Sequence, residues 1–426
     1  MTTRDQNELL TRTGPGSAMG ALFRRYWLPV LMASELPEPD CPPVRVSVLS
    51  EKLVAFRNSA GRVGIVDEFC AHRGASLWFA RNEEGGLRCA YHGWKYDVTG
   101  QCVEVPSEPA ETGYCKSIKL VSYPVIERGD VVWIYMGPAE HRPPAPEFEW
   151  TTVPAGHRFV SRRVQESNYL QAMEGGIDSV HLSFLHRGDL RSDPLHAGSK
   201  GSDYASSTDG RFEVVETPGG MVIGVRRPAD PGFLYWRITQ WIMPSFTMIP
   251  PYGKNALNGH VWVPIDDETC MTWNFTHHPT RALTQAELEV MRSGGGNHPA
   301  LIHGTFRPIA NRDNDYLIDR AAQKAGATFS GVKGIAMQDA AIQESMGAIQ
   351  DRTREHLVST DNAVILARRR LARAALALRE GMAPDAIEPA THRVRSAALV
   401  LPEGVPFYEA AAEALKVTEG AEQASV

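Results

Sequence analysis

Across its first third the chain alternates apolar and polar positions in short runs. VRVSVLS, KLVAFRN, VGIVDEF and VVWIYMG read as strands, separated by turns such as Asn58-Ser59-Ala60-Gly61. They predict a small all-β unit over 26–140, with the proline-rich stretch His141–Trp150 as the linker out of it. RRVQESNYLQAMEGGIDSVHLSFLH, residues 162–186, reads as helical. Longer strands follow. RFEVVET and MVIGVRR flank Pro218-Gly219-Gly220, and GHVWVPI and CMTWNFT flank Asp266-Asp267-Glu268, both hairpin signatures; YWRITQWIMPSFTMI adds another alternating strand. A glycine-rich loop covers 293–299. Residues 338–380 are again helical, the last piece capped by Ser359 or Thr360 and stopped at Gly381. No internal repeat is present. The pattern predicts an α+β protein with a second domain over 150–400 and a mobile Ala/Glu-rich tail at 401–426.

Composition narrows the class. A chain of 426 residues exceeds one ordinary core, so two domains are expected. A hydrophobic fraction of 43% and a formal net charge of -6 suit a soluble enzyme and argue against nucleic acid or an anionic membrane as partner. The opening MTTRDQNELL carries Asp5 and no apolar core, which is not the pattern of a signal peptide, and no apolar run is long enough to span a bilayer. A cytoplasmic location is expected. Of six cysteines, only Cys70 and Cys89 lie in patterned surroundings; Cys41, Cys102, Cys115 and Cys270 read as buried thiols.

Two constellations carry chemistry. The first is C-A-H at Cys70 and His72, then C-A-Y-H at Cys89 and His92. A Rieske [2Fe–2S] cluster needs two thiolates on one iron and two imidazoles on the other, and two mixed Cys/His loops deliver that set. A structural zinc site usually pairs like with like, as C-x₂-C with H-x₃₋₅-H, so the mixed halves favour the cluster. The second constellation is Glu174, Asp178, His181 and His186. The first three share a helix face. His186, five residues past His181, reaches the same ion only if the helix ends or widens into a π-type turn there. Two histidines with one carboxylate, leaving open positions, form the facial triad of non-haem Fe(II) oxygenases. His298 and His303 repeat the spacing after a triple glycine, interrupted by Pro299 and without matching carboxylates, and read as a loop. His277-His278 read as a strand end.

Both constellations, with the stretches FCAHRGASLWFARNEEGGLRCAYHGWKYDVTGQC, SNYLQAMEGGIDSVHLSFLHR and QDAAIQESMGAIQDRTREHLVSTD, resemble the oxygenase α subunits of the Rieske non-haem iron family. The resemblance runs from Tyr26 to Arg373 and is greatest to the phthalate 4,5-dioxygenase branch, which includes aryl-ether O-demethylases. It implies an N-terminal Rieske domain and a C-terminal catalytic domain with an antiparallel sheet around a long helix, of the helix-grip, START-like kind. It implies a homotrimer in which Asp178 bridges His92 of one subunit and His181 of the next. It assigns the third iron ligand to Asp339, with Glu344 and Asp351 as rivals. Relatives often carry asparagine six residues before the first histidine ligand; here Gly175 stands there, leaving that role empty or with Asn168 or Gln171.

The function implied is oxidation of a small aromatic acid with O2, by ring dihydroxylation or oxidative O-demethylation. Electrons come from NADH through a separate flavin and [2Fe–2S] reductase or a ferredoxin, since the chain has no G-x-G-x-x-G with a distal acid for NADH itself. Two other classes compete: a pure Rieske electron carrier, which needs no second domain, and a two-zinc protein. A substrate carboxylate calls for arginine near the iron, and Arg187, Arg191, Arg226 and Arg227 are the candidates.

Overall fold

The computed structural model describes residues 2–195 and 199–418, except the side chains of Ala110, Arg191 and Ser192. The chain divides into two compact units, Phe23–Ala145 and Met1–Leu22 with Pro146–Val426. The smaller unit is all-β. Its strands are β1 (Trp27–Met32), β2 (Val44–Val48), β3 (Glu51–Arg57), β4 (Val63–Asp67), β5 (Arg81–Glu83), β6 (Gly86–Arg88), β7 (Lys95–Tyr96), β8 (Cys102–Glu104), β9 (Ser122–Tyr123), β10 (Val125–Arg128) and β11 (Val131–Tyr135). They form three antiparallel sheets, β1-β11-β10, β2-β3-β4-β9 and β5-β6-β7-β8. The inward positions of β3 and β4, Val54, Phe56 and Val66, pack with Leu77, Leu87, Trp94 and Tyr96 into one apolar cluster. That burial holds the two loops that follow β4 and β6.

The larger unit is built on one antiparallel sheet of eight strands: β12 (Arg158–Gln165), β13 (Arg211–Thr217), β14 (Gly220–Pro228), β15 (Phe233–Ile242), β16 (Phe246–Ile249), β17 (Leu257–Pro264), β18 (Cys270–His277) and β19 (Ala397–Pro402). The order is β12-β18-β17-β16-β15-β14-β13, with β19 also on β15. Four helices matter for the site: α1 (Arg4–Thr11), α2 (Tyr169–Ile177), α3 (Ile335–Ser345) and α4 (Asn362–Arg379). α2 lies against β15, β16 and β17, and α3 lies against α2. The approach of α2 to the sheet is close, since a Cβ at Gly176 would meet the Trp262 ring at 2.4 Å.

Three expectations need correction, and one unassigned segment gains a place. The helical stretch over 162–186 is a strand up to Gln165, because Arg158–Gln165 pairs residue by residue with His277–Cys270 of β18. Cross-strand pairing outweighs the local helical pattern there. The helical stretch over 338–380 is two helices, α3 and α4, joined by an irregular segment, and the residue before α4 is Asp361. Its end follows expectation. Gly381 takes φ +86°, while its N–H and that of Met382 close back on Leu378 and Ala377, the Schellman arrangement. The first 22 residues, left unassigned by the sequence, belong to the larger unit, where Tyr169 Oη donates to Leu10 O at 2.8 Å and Asn168 Nδ2 to Thr11 O at 2.9 Å. The tail expected at 401–426 is largely folded. β19 runs to Pro402, and Phe407 and Ala411 of a short helix α5 (Phe407–Ala411) pack with Leu415 against Val222, Trp236 and Ile238. Burial of that apolar face retains a segment whose composition alone looked solvated. Residues 419–426 lie outside the described residues.

Candidate metal centres

The cluster loops are near duplicates. In the first, Cys70 N–H donates to Ala75 O and Gly74 N–H to Cys70 O, both at 2.8 Å. In the second, Cys89 N–H donates to Trp94 O at 2.8 Å and Gly93 N–H to Cys89 O at 2.9 Å. Gly74 and Gly93 hold φ of +71° and +73°, which an L side chain rarely adopts, so each loop can turn back on its cysteine. Cys70 and Cys89 are buried and His72 and His92 exposed. The His72 ring stacks on Trp94, with centroids 4.6 Å apart, and meets His92 edge-on at 4.5 Å. Tyr96 Oη lies 3.2 Å from Cys70 Sγ.

Among the described residues, the one set of three or more His, Cys, Asp or Glu side chains with donor atoms within 4.8 Å of one another is His181, His186 and Asp339. The four cluster-loop residues are therefore more widely spread than the ligand shell of one zinc ion. A two-iron cluster fits that spread, with buried thiolates on one side and exposed imidazoles on the other.

The second centre is made where α2 ends. Asn168 caps the helix, its Oδ1 accepting Leu170 N–H at 3.0 Å, and Asp178 leaves it with extended backbone. Asp178 Oδ1 accepts Val180 N–H at 2.8 Å, and a 3₁₀ turn then runs over His181–Ser183. Of the two ways expected for His181 and His186 to converge, a helix end or a π turn, the chain uses the end. Their Nε2 atoms lie 3.2 Å apart, and Asp339 Oδ1, from α3, is 3.5 Å from His181 Nε2 and 3.3 Å from His186 Nε2. Imidazole nitrogens sit about 2.1 Å from a first-row divalent ion, so ligands at right angles are about 3 Å apart. The triad fits three neighbouring positions on one ion.

The rings are also oriented. Gln338 Nε2 donates to Asp189 Oδ2 at 2.7 Å and to Val332 O at 2.9 Å, which directs its Oε1 to His186 Nδ1 at 2.6 Å. His186 therefore carries its proton on Nδ1 and offers Nε2 as a ligand. Asp178 Oδ2, 3.5 Å from His181 Nδ1, is placed for the same task on the other ring. Burial pushes the Asp339 carboxyl up, but His186 and His181 outweigh it and hold it at about 2, so it is ionised.

The remaining sequence candidates fall elsewhere. Glu174 is buried in an ion pair with Arg368 and Arg352. Glu344 accepts Tyr316 Oη at 2.5 Å and Glu166 N–H at 3.1 Å, while Asp351 caps Thr353. Asn168 and Gln171 are engaged with backbone carbonyls and do not replace a side chain at Gly175. Gln343 does: a Cβ on Gly175 would lie 2.2 Å from Gln343 Nε2. His298 is buried between Ser161 and Thr276, and His277 meets Glu149 at 3.3 Å.

A cavity opens on the triad, lined by His181, His186, Asp339 and Asp178 together with Leu182, Ile249, Tyr252 and Trp262. Its arginines are Arg163 and Arg237, which the sequence did not single out. Of those it did, Arg187 is exposed, Arg226 pairs with Glu213, and Arg227 donates to Ser179 O and Ser207 O; the Arg191 side chain lies outside the described residues.

Comparison with known proteins agrees with this geometry. The Rieske [2Fe-2S] domain matches residues 26–124, and the family described as LigXa C-terminal domain like matches residues 134–423. The chain belongs to the Rieske non-haem iron oxygenases, as an oxygenase component holding a [2Fe–2S] cluster and a mononuclear iron. The carrier-only and two-zinc readings are set aside. The 3-chlorobenzoate-3,4-dioxygenase oxygenase subunit of Comamonas testosteroni is 38% identical over 87% of this chain and 88% of its own length. The phthalate 4,5-dioxygenase oxygenase subunit of Pseudomonas putida is also 38% identical, over 89% and 88%. The solved structure of dicamba monooxygenase bound to dicamba shares the fold, with a TM-score of 0.59 at 20% identity over 85% of this chain and 100% of that one. No helix among the described residues is long and apolar enough to cross a membrane.

Proposed function

We propose that this chain oxidises a small aromatic acid with O2, by ring dihydroxylation or oxidative O-demethylation, using electrons that a separate flavin and [2Fe–2S] reductase, or a ferredoxin, draws from NADH. The observation that carries it is the His181/His186/Asp339 triad, whose donor atoms stand 3.2–3.5 Å apart at the wall of an open cavity. When bound, the cluster supplies one-electron transfer and the ferrous ion supplies dioxygen activation.

The chain's residues do the rest. Cys70, Cys89, His72 and His92 would hold the cluster. His181, His186 and Asp339 would hold the mononuclear ion at the wall of the cavity. Asp178 accepts the Nδ1 proton of His181 and, in a homotrimer, the proton on the ring nitrogen of His92 of the partner subunit that does not hold the cluster iron. Its half-exposed carboxylate and the exposed His92 leave both groups accessible to a neighbouring copy. Leu182, Ile249 and Trp262 give the ring an apolar wall. The expected location is cytoplasmic.

Metal analysis tests the ligand roles. The wild-type chain should carry iron near three per chain. Asp339→Ala should fall to two, keep its red-brown cluster absorbance and lose turnover of aromatic acids with the reductase. If Asp339→Ala keeps iron and activity while Glu344→Ala loses both, the third ligand is wrongly assigned.

A further inference from the structure

Arg163 is 3% exposed, and its Nε and Nη1 are buried without a hydrogen-bond partner. No ion pair within 4 Å joins it to any described residue. A guanidinium stays protonated at every working pH and presents five donors in a fixed fork. Burying one without an acceptor is costly, so the fold retains it against its own stability.

Its place explains why. Arg163 stands on β12 opposite Thr272 of β18, in the cavity that opens on His181, His186 and Asp339. Asn274, two residues along β18 and therefore on the same sheet face, lines that cavity as well. Its Oδ1 is held by His260 Nδ1 at 2.8 Å, which leaves Nδ2 buried and unpartnered. Two unsatisfied donor groups, one of them cationic, thus border the space beside the iron ligands. The neighbouring carboxylates are committed: Glu344 to Tyr316 Oη and the Glu166 N–H, Asp339 to the two imidazoles.

We infer that Arg163 determines substrate specificity by binding the carboxylate of the aromatic substrate inside the iron cavity, with Asn274 Nδ2 as a second, neutral donor. The inference rests on the aromatic-acid reading above and adds to it the group that selects the acid. A bidentate guanidinium–carboxylate contact in a water-poor cavity is among the strongest polar contacts available, and a carboxamide of the same shape cannot supply its charge.

Isothermal titration of the reduced, anaerobic holoprotein with 3-chlorobenzoate, phthalate, 3-chlorobenzenesulfonate and 3-chlorobenzamide tests it, alongside thermal melting. Wild type should bind the carboxylates at least 10-fold more tightly than the amide. The sulfonate arm tells a carboxylate-selective fork from a general anion site. Arg163→Met should lose 10- to 100-fold in carboxylate affinity, leave amide binding and iron content unchanged, and melt no lower than wild type in the absence of ligand. Arg163→Lys, which keeps the charge but not the fork, should fall between the two. If wild type shows no preference for carboxylates, the aromatic-acid reading itself fails. If wild type prefers them and Arg163→Met keeps the preference, the inference about Arg163 fails alone. If both Arg163→Met and Arg163→Lys melt lower and lose acid and amide binding alike, the residue is structural and the inference is overturned.

Discussion

Replacing Glu174 with alanine should destabilise the larger unit by about 3 kcal/mol while leaving the mononuclear iron in place. Glu174 lies in the last turn of α2, before the helix ends ahead of Asp178 and His181, and its carboxylate is turned to two buried guanidiniums. Oε1 accepts Arg368 Nε at 2.7 Å, and Oε2 accepts Arg368 Nη2 at 3.0 Å and Arg352 Nη2 at 3.3 Å. Arg352 and Arg368 are 0% and 7% exposed at their side chains. Breaking a buried pair from one side costs about 3–5 kcal/mol, because the other charge stays behind without an acceptor. Arg368 keeps its second partner, Glu355, at 2.5 and 2.8 Å, which puts the loss at the lower end of that range. Among the described residues, Arg352 keeps only Asn7 Oδ1 as a side-chain acceptor, at 3.1 Å. Glu174→Gln preserves the shape and one acceptor and should lose about 2 kcal/mol. Urea unfolding with the iron content of each variant is the assay. A variant of wild-type stability that has lost mononuclear iron would show that Glu174 is a ligand and that the ion-pair argument is wrong.

Two further outcomes are expected. Burial pushes the Glu149 carboxyl up, but Arg395 and His277 outweigh it and hold it at about 2, against 4.5 for a free glutamate. Because the folded value is the lower one, its stabilisation is full above pH 4.5 and is lost as pH falls towards 2; the difference corresponds to about 3 kcal/mol. Glu149→Gln should therefore flatten the acid limb of a stability–pH curve between those values, and an unchanged limb would contradict the assignment. Tyr96 Oη lies 3.2 Å from Cys70 Sγ, and with Cys70 as a cluster thiolate the hydroxyl is the donor, a contact that favours the more negative, reduced cluster. Tyr96→Phe should lower the midpoint potential in a spectroelectrochemical titration by about 40 mV if the bond is worth about 1 kcal/mol more in the reduced state. No change in the midpoint would remove Tyr96 from the account of the potential.

The chemistry was legible wherever the ligands of one centre lie close along the chain. Cys70 with His72, Cys89 with His92, and His181 with His186 each come from a loop of a few residues, so spacing put each pair forward as metal ligands, the mixed Cys/His halves favouring a Rieske cluster over zinc. The strands β2, β3, β4 and β11 were legible too, as short runs rich in β-branched and apolar residues between turn signals. Asp339 was out of reach of spacing, because α3 brings it to the histidines only after the sheet has formed, and resemblance rather than pattern identified it. Glu174 shows the opposite error. Its spacing placed it on one helix face with Asp178 and His181, but α2 ends at Ile177, and the arginines that claim it come from 352 and 368, whose arrival no local pattern records. The arginines of the cavity were missed for the same reason. Arg163 sits in RRVQ, a stretch that reads as helical and becomes the strand β12 through pairing with β18. That pairing turns its side chain towards the iron ligands rather than water. Local sequence specifies which groups a loop can offer to a metal; which charges end up facing them depends on contacts between segments far apart in the chain, and those exist only in the folded sheet.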